Sequence, residues 1–174
     1  MLKAFQILVF TLLASAACAQ TASYVLNAGD TIRIRVYGEP DLSFNTFLVG
    51  HDGILAYPFI GDVQVAGKTA GEVQAALVER LQPDYLVAPQ VSVGVVSYRP
   101  FFINGEVRGP GEVAFQPGLS LRKAVSLAGG FTERASKSSI FVISDNDASK
   151  ESRKVDLNYQ VQPGDIITIE QSFF

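Results

Sequence analysis

The residues whose types could support catalysis are few in this sequence and are spaced far apart. His51 is the single histidine, so a metal site would need carboxylates alone beside it. Asp30 and Asp165 could act as a pair of acids, but each follows a glycine in a turn, where a carboxylate can cap the backbone instead. No serine stands in the Gly-x-Ser-x-Gly elbow of a hydrolase. The sequence therefore predicts a protein that is not an enzyme and that holds no metal and no cofactor.

Glycine-rich and arginine-bearing segments could bind an anion instead. The stretch INGEVRGPGEV at residues 103–113 lacks the Gly-Lys-Ser/Thr sequence of a phosphate loop, and a hairpin explains its glycines. The net charge of −3 argues against nucleic acid as a partner. Arginines that could face an anionic polymer, or that simply lie on solvated strand faces, are Arg33, Arg35, Arg99 and Arg108.

An apolar leader precedes the body of the chain. Residues 1–19 have the charged start, apolar middle and small-residue end of a secretory signal peptide, which we favour over a buried first helix. The triplet that ends at Ala19 fits the rule for ordinary signal peptidase, so we expect Gln20 to become the new N-terminus. The alternative is lipidation of Cys18, the only cysteine, which would then anchor the protein. No later apolar run approaches the length of about 20 residues that a transmembrane helix needs.

The first half of the body has the pattern of short strands joined by tight turns. After the turn that contains Gly29 and Asp30, apolar and polar residues alternate in TIRIRV, which predicts a strand with one buried face. Further on, short apolar runs are interrupted by glycine and proline, which predicts hairpins. Asp52 and Gly53 are predicted to form one hairpin turn, since Asp-Gly between strands is typical of one.

One helix and another strand complete this half. Thr69 and Glu72 have the spacing of a capping box, which predicts a helix that starts at Thr69 and extends to about Gln82. Pro83 is expected to end it. The segment PQVSVGVVSY at residues 89–98 predicts a strand.

The second half begins after the expected boundary at Arg99 and Pro100. Its pattern predicts a hairpin, a helix with Ser120 as N-cap, a second hairpin and a final strand. This is the β-β-α-β-β-β order of a β-grasp-like fold. The residues expected to form its turns and to end its helix are Gly109, Pro110, Gly111, Gly129, Gly130, Gly164 and Asp165.

Together these patterns predict an α+β protein of two small modules. The expected limits are residues 1–19 for the signal peptide, 20–99 for the first module and 100–174 for the second. A Gly-Asp turn followed by a β-branched strand occurs near each end of the body. This repetition favours two similar modules over one continuous sheet.

In this order, the motifs resemble those of the outer-membrane polysaccharide export (OPX) family. YVLNAGDTIRIRVYGEPDLS, GHDGILAYPFIGDVQVAGKTAGEV and VSVGVVSY are similar to its polysaccharide export domain. FFINGEVRGPGEVAFQPGLSLRKAVSLAGGFTERA and VQPGDIITIE are similar to its soluble ligand-binding β-grasp (SLBB) domain. The resemblance extends from Tyr24 to about Gln171, and it is specific through the order of the motifs rather than through any one of them.

The resemblance implies a protein of the Gram-negative periplasm that is associated with the outer membrane and assembles into a homo-oligomeric ring. The ring would continue a conduit for capsular polysaccharide or exopolysaccharide from an inner-membrane co-polymerase, with no chemical turnover. Longer members have a C-terminal amphipathic helix, whereas this sequence stops at Phe174 after its last predicted strand. We therefore expect a short form that does not make the outer-membrane pore alone and whose ring docks on a separate outer-membrane pore protein or on the co-polymerase. The matching motifs are mostly structural glycines, prolines and turn acids, so they transfer no binding residue.

Two other functions stay open at the level of the sequence. A hydrolase or lyase that acts on the polymer would need a close acid pair, and none is evident. A monomeric periplasmic carbohydrate-binding module would need aromatic stacking platforms, although the sequence has no tryptophan. The tyrosines that could serve, or that could simply pack in the core, are Tyr37, Tyr57, Tyr85, Tyr98 and Tyr159.

Overall fold

The fold is given by a computed structural model that describes residues 24–82, 84–147 and 149–172. Several predictions concern residues outside this range. These are the signal peptide at residues 1–19, its alternative processing sites at Cys18, Ala19 and Gln20, and the helix terminator Pro83.

The described residues form ten strands and two α-helices, with a short 3-10 turn at Pro40–Leu42. In chain order the elements are β1 (Thr31–Val36), β2 (Phe44–Leu48), β3 (Ile54–Tyr57), β4 (Gly61–Gln64), α1 (Ala70–Leu81), β5 (Val91–Ser97), β6 (Phe101–Gly105), β7 (Gly111–Val113), α2 (Leu121–Leu127), β8 (Ala135–Ile143), β9 (Arg153–Val155) and β10 (Ile166–Gln171).

The first module contains a three-stranded antiparallel sheet in the order β2-β1-β5 and a separate β3-β4 hairpin. The alternation predicted for β1 is confirmed, because Ile32, Ile34 and Val36 are buried and the two arginines between them are exposed. The capping box of α1 is also confirmed. Thr69 Oγ1 accepts the Glu72 backbone N–H at 3.2 Å, and the Glu72 carboxylate accepts the Thr69 N–H at 2.7 Å. Both orphan donors at the start of the helix are thereby satisfied.

The turn at Asp52 and Gly53 differs from the predicted hairpin. It connects β2 to β3, and these two strands lie in different sheets. Gly53 has a φ of +68° and lies so close to Ala66 that an added Cβ would be 2.4 Å from the Ala66 Cβ. The chain uses this close approach to pass from one sheet to the other, and a glycine is required because no side chain would fit.

The second module is a five-stranded mixed sheet in the order β7-β6-β10-β8-β9, with α2 packed on it. Strands β6 and β10 run parallel, and the other pairs are antiparallel. Leu121, Ala124 and Val125 of α2 are buried as their helical spacing predicts. The predicted β-β-α-β-β-β order is confirmed.

The start of α2 is satisfied in a way the sequence did not predict. Ser120 occupies the N-cap position, but its side chain makes no capping hydrogen bond. The first helical N–H groups donate instead to main-chain carbonyls of the segment before β10. Leu121 N–H donates to Tyr159 O at 2.8 Å and Arg122 N–H donates to Leu157 O at 3.1 Å. Hydrogen bonds from these N–H groups to a distant segment of the same module therefore replace the bond that the Ser120 side chain was expected to make.

The buried apolar residues form two separate clusters. The first extends along the chain from Leu26 to Val91 and the second from Phe101 to Ile169. Arg99 and Pro100 lie between them in the sequence. The predicted α+β fold with two small modules is confirmed.

Candidate functional site

The turn that precedes β1 is organised around a buried carboxylate. Asp30 is fully buried. Its Oδ2 accepts the Tyr24 hydroxyl at 2.6 Å and the Asn27 backbone N–H at 2.8 Å. Gly29 completes the turn with a φ of +92°, a conformation that glycine adopts without steric cost. The carboxylate thus fixes the entry to the first sheet and is not free for chemistry.

The turn that precedes β10 has the same construction. Asp165 is fully buried, and its Oδ2 accepts the Tyr159 hydroxyl at 2.8 Å and the Gln162 backbone N–H at 2.8 Å. Gly164 has a φ of +82°. The two segments, YVLNAGD and YQVQPGD, share Tyr, Gly and Asp at identical spacing. The tyrosine six residues before each aspartate is a sequence signal for this turn, in addition to the Gly-Asp pair.

Arg99 lies between these two turns and joins the modules. Its side chain is only 7 % exposed, so it neither faces an anionic polymer nor lies on a solvated strand face, the two alternatives given above. An added Cβ at Gly29 would lie 3.2 Å from the Arg99 Cβ, and one at Gly164 would lie 2.8 Å from the Arg99 Nε. Both turns therefore pack directly against this arginine.

The polar contacts of Arg99 reach into both modules. Toward the first, its backbone N–H donates to Asp30 Oδ1 at 2.8 Å, and its guanidinium lies 3.5 Å from Asp30 Oδ2 and donates to the Tyr24 hydroxyl at 2.8 Å. Toward the second, the guanidinium lies 3.4 Å from Asp145 Oδ2 and donates to Asn146 Oδ1 at 3.0 Å. We call this set of contacts the Arg99 junction. It holds the modules in one relative orientation.

Burial changes the protonation chemistry of the two turns. Desolvation raises the pKa of the Asp165 carboxyl, although the hydrogen bonds from Gln162 and Tyr159 act in the opposite direction. Desolvation, together with the neighbouring Asp165, raises the pKa of Tyr159 to about 12. Desolvation and the hydrogen bond to Asp30 raise the pKa of Tyr24 well above its usual value. Both tyrosines therefore stay protonated donors at physiological pH.

A cleft of about 700 Å³ opens beside the Arg99 junction. Three aromatic rings line it, with Tyr98 in the centre. The Tyr98 ring meets Tyr24 edge to face at 4.9 Å between centroids and Phe115 at 5.4 Å. The remaining lining residues, contributed mostly by the second module, are Val25, Pro117, Gly118, Asn146, Gln160, Val161 and Gln162. We call this concavity the junction cleft.

A second, smaller groove of about 450 Å³ lies on the exposed face of the three-stranded sheet. It is lined by Arg33 and Arg35 of β1, by Tyr37, and by residues of β5 that include Ser92. Arg33 Nε donates to the Asn45 carbonyl at 3.3 Å. Of the four arginines singled out from the sequence, these two share one groove, whereas Arg108 lies elsewhere on the surface.

The remaining candidate residues are dispersed. His51 is exposed in the turn before β3, and no group of three or more metal-ligating side chains occurs in the described part of the chain. Gly109 and Pro110 lie in the β6-β7 connection, and Gly111 begins β7. Gly129 and Gly130 follow α2 with positive φ.

The five candidate tyrosines have different surroundings. Tyr57 is buried and donates to the Leu42 carbonyl at 2.6 Å. Tyr85 stacks on the exposed Phe59 with 5.6 Å between ring centroids. Tyr37 lies in the groove lined by Arg33 and Arg35, Tyr98 lies in the junction cleft, and Tyr159 lies in the turn that contains Asp165. Asp30 and Asp165 occupy separate turns and make no contact with each other that would form an acid pair.

No helix within the described ranges is both long and apolar enough to cross a membrane.

Two family models match the chain in succession. The model for polysaccharide biosynthesis/export proteins matches residues 19–96, and the model for the SLBB domain matches residues 100–154. Arg99 lies in the short gap between the two matches.

Several curated proteins are similar in sequence. The chain is 34% identical over 126 residues to the exopolysaccharide production protein ExoF of Rhizobium meliloti, covering 66% of this chain and 30% of ExoF. It is 29% identical over 140 residues to the EPS I polysaccharide export outer membrane protein EpsA of Ralstonia nicotianae, covering 64% and 36% of the two chains. It is 30% identical over 110 residues to the polysialic acid transport protein KpsD of Escherichia coli, covering 62% and 19%. The aligned region thus spans about a third or less of the length of these relatives.

Proposed function

The chain belongs to the outer-membrane polysaccharide export family, and on that premise we propose that it is a non-catalytic component of a machinery that exports a capsular or extracellular polysaccharide. The observation that carries the proposal is the succession of the two family domains in one chain, with the Arg99 junction between them. We place the boundary of the domains at Arg99 and Pro100, with limits at residues 20–99 and 100–174.

We further propose that subunits associate side by side into a closed ring through which the polymer passes. A ring closes only if each subunit presents two different surfaces at a constant angle. The Arg99 junction supports this requirement, because its contacts to Asp30, Asp145 and Asn146 fix the modules against each other. An inner-membrane co-polymerase and a separate outer-membrane pore protein are the proposed partners.

The proposed location is the periplasm, at the outer membrane of a Gram-negative bacterium. Cleavage after Ala19 would release a chain that begins at Gln20 and carries no lipid. The intact mass of the protein purified from the cell envelope tests this, because a diacylglyceryl group on Cys18 would overturn it.

Deletion of the gene in its own host tests the export function. We expect the polysaccharide in the medium or on the cell surface to fall at least tenfold and to return when the gene is supplied on a plasmid. Unchanged extracellular polymer in the deletion strain would contradict the proposal. A reducing-end assay on the polymer should give the same chain length with and without added protein, whereas shortened chains would indicate a hydrolase or lyase.

A monomeric carbohydrate-binding module is the second candidate function, and the aromatic lining of the junction cleft favours it. Native mass spectrometry of the processed protein distinguishes the two. A closed oligomer with a defined subunit number supports the export ring. A strict monomer at high concentration, both alone and with the co-polymerase, supports the binding module.

A further inference from the structure

The junction cleft combines the two kinds of group that bind a neutral sugar. Tyr24, Tyr98 and Phe115 supply aromatic surface, which packs well against the apolar C–H faces of a pyranose ring. Asn146, Gln160 and Gln162 supply amides, each of which can both donate to and accept from a hydroxyl group. A mainly apolar concavity with a few convergent polar groups is the usual form of a small-molecule site.

Part of this hydrogen-bonding capacity is unused within the described part of the chain. The side-chain amides of Gln160 and Gln162 donate through nitrogen, to Asn158 O at 3.1 Å and to Gln160 O at 3.2 Å. Their amide oxygens remain available as acceptors. The Asn146 oxygen accepts from Asn27 and Arg99, so its amide nitrogen is held in place with its own N–H groups still to be paired. The Arg99 junction thus orients one wall of the cleft.

The charge of the cleft selects among saccharides. No carboxylate, guanidinium, amine or imidazole is among the residues that line it. An ionised uronic acid would lose hydration on entry without gaining a countercharge, because the Arg99 guanidinium behind Tyr24 and Asn146 is already paired with two carboxylates. The groove at Arg33 and Arg35, by contrast, does carry positive charge. The cleft therefore suits an uncharged polyhydroxyl ligand better than an anionic one.

We infer that the junction cleft is a binding site for neutral pyranose units, and that a bound saccharide contacts both modules at once. This inference rests on the proposed export function and adds to it the class of sugar and the place where it binds. We expect binding to be weak, since a site on the path of an exported polymer must also release it.

Ligand-observed saturation-transfer NMR on the protein purified from the cell envelope tests the inference. The probes are neutral hexasaccharides of glucose, mannose and galactose, with hexagalacturonate as the anionic comparison. We expect transfer to at least one neutral probe, and at least fivefold less transfer to hexagalacturonate. The double variant Gln160→Ala/Gln162→Ala should weaken binding of the neutral probe at least fivefold. Both side chains are exposed, so the fold should be retained.

The matched control is Gln64→Ala, because Gln64 is also an exposed glutamine whose amide donates to a nearby carbonyl, at 3.1 Å, but lies outside the cleft. Its affinity should stay within twofold of the unmodified protein. Absence of transfer to every neutral probe, stronger transfer to the anionic one, or equal binding by the double variant would each overturn the inference. None of these results bears on the deletion-strain assay, so a failed cleft and a failed export function are distinguishable.

Discussion

The turns at Asp30 and Asp165 have the same local construction and different electrostatic surroundings. Each carboxylate accepts a tyrosine hydroxyl and a backbone N–H through the same oxygen, Oδ2. Asp30 is ion-paired with Arg99, which contacts both of its oxygens. Asp165 makes no ion pair within 4 Å among the described residues, and burial raises the pKa of this carboxyl against the opposing effects of Gln162, Tyr159, Ser144 and Arg153.

This difference in surroundings shows that a short motif determines the geometry of the turn, whereas the tertiary fold determines the charges around it. Tyrosine, glycine and aspartate within seven residues are enough to build the turn twice. The countercharge of Asp30 comes from Arg99, 69 positions away in the sequence. The first turn is therefore joined to Arg99 by an ion pair, whereas the second packs against the same arginine without an ion pair from its aspartate.

Neutralising the two aspartates should give the largest contrast. Asp30→Asn removes the buried countercharge of the Arg99 guanidinium and leaves it only the half-exposed Asp145, so we expect a loss of about 3 kcal/mol in the free energy of unfolding. Asp165→Asn removes a buried charge that makes no ion pair among the described residues, and the amide oxygen can still accept from Tyr159. Its effect should stay within about 1 kcal/mol. Urea denaturation followed by circular dichroism measures both. Equal losses in the two variants would show that Arg99 does not distinguish the turns.

Alanine at the turn glycine tests how closely the second turn packs against Arg99. Gly164→Ala places a Cβ 2.8 Å from Arg99 Nε and from Asp145 Cβ at a φ of +82°, so we expect a loss of about 3 kcal/mol in the free energy of unfolding. Gly38→Ala is the matched control, because Gly38 has a φ of +85° with nothing within 4 Å of the added Cβ. It should cost only about 1 kcal/mol. Similar values for both would mean that backbone conformation alone, and not contact with Arg99, explains the glycine.

Local elements of the fold were predictable because their causes lie within a few residues. The alternation in β1, the capping box at Thr69 and the apolar stripe of α2 all act through neighbours in sequence. Ser120 occupies the N-cap position as predicted, but its side chain does not cap the helix. The N–H groups of α2 are satisfied by Tyr159 O and Leu157 O, which only the folded sheet brings near.

The candidate site was less predictable, since long-range packing creates it. Arg99 looked like a surface arginine because its neighbours in sequence are polar or aromatic. Its burial depends on two turns that are far apart along the chain. The junction cleft likewise draws Tyr24, Tyr98 and Gln162 from three separate segments. The repeated tyrosine before each Gly-Asp pair was the one signal in the sequence that linked these segments.

The two tyrosines provide a smaller test of the same contrast. Tyr24→Phe removes a hydroxyl that donates to Asp30 and accepts from Arg99, so two hydrogen bonds with charged partners are lost. Tyr159→Phe removes the hydrogen bond to Asp165. We expect losses of about 2 kcal/mol and about 1 kcal/mol in the free energy of unfolding. Thermal unfolding of both variants side by side checks the order, and a larger loss for Tyr159→Phe would contradict it.

The smallest expected effect is a dependence on pH that belongs to the second turn. The pKa of Asp165 is raised in the folded protein above the unfolded value of about 3.9, so the folded state holds this proton more tightly. The resulting stabilisation is complete below about pH 3.9 and is lost as the pH rises through the folded pKa. The free energy of unfolding of the unmodified protein, relative to that of Asp165→Asn, should therefore fall between pH 3 and pH 7.

Tyr159→Phe tests the same pH dependence in a second way, because it leaves Asp165 in place and removes one of its hydrogen-bond donors. The Tyr159 hydroxyl stabilises the charged carboxylate and so lowers the pKa of Asp165 against the effect of burial. Without the hydroxyl the folded pKa should rise further. The decline in stability, measured for Tyr159→Phe relative to Tyr159→Phe/Asp165→Asn, should then become larger and extend to higher pH. In each pair, the quantity to follow is the free energy of unfolding of the protein with Asp165 minus that of its Asp165→Asn counterpart. If this quantity stays constant or grows with pH, the folded protein stabilises Asp165 in its charged form, as Arg99 stabilises Asp30. The contrast between the two turns would then not hold.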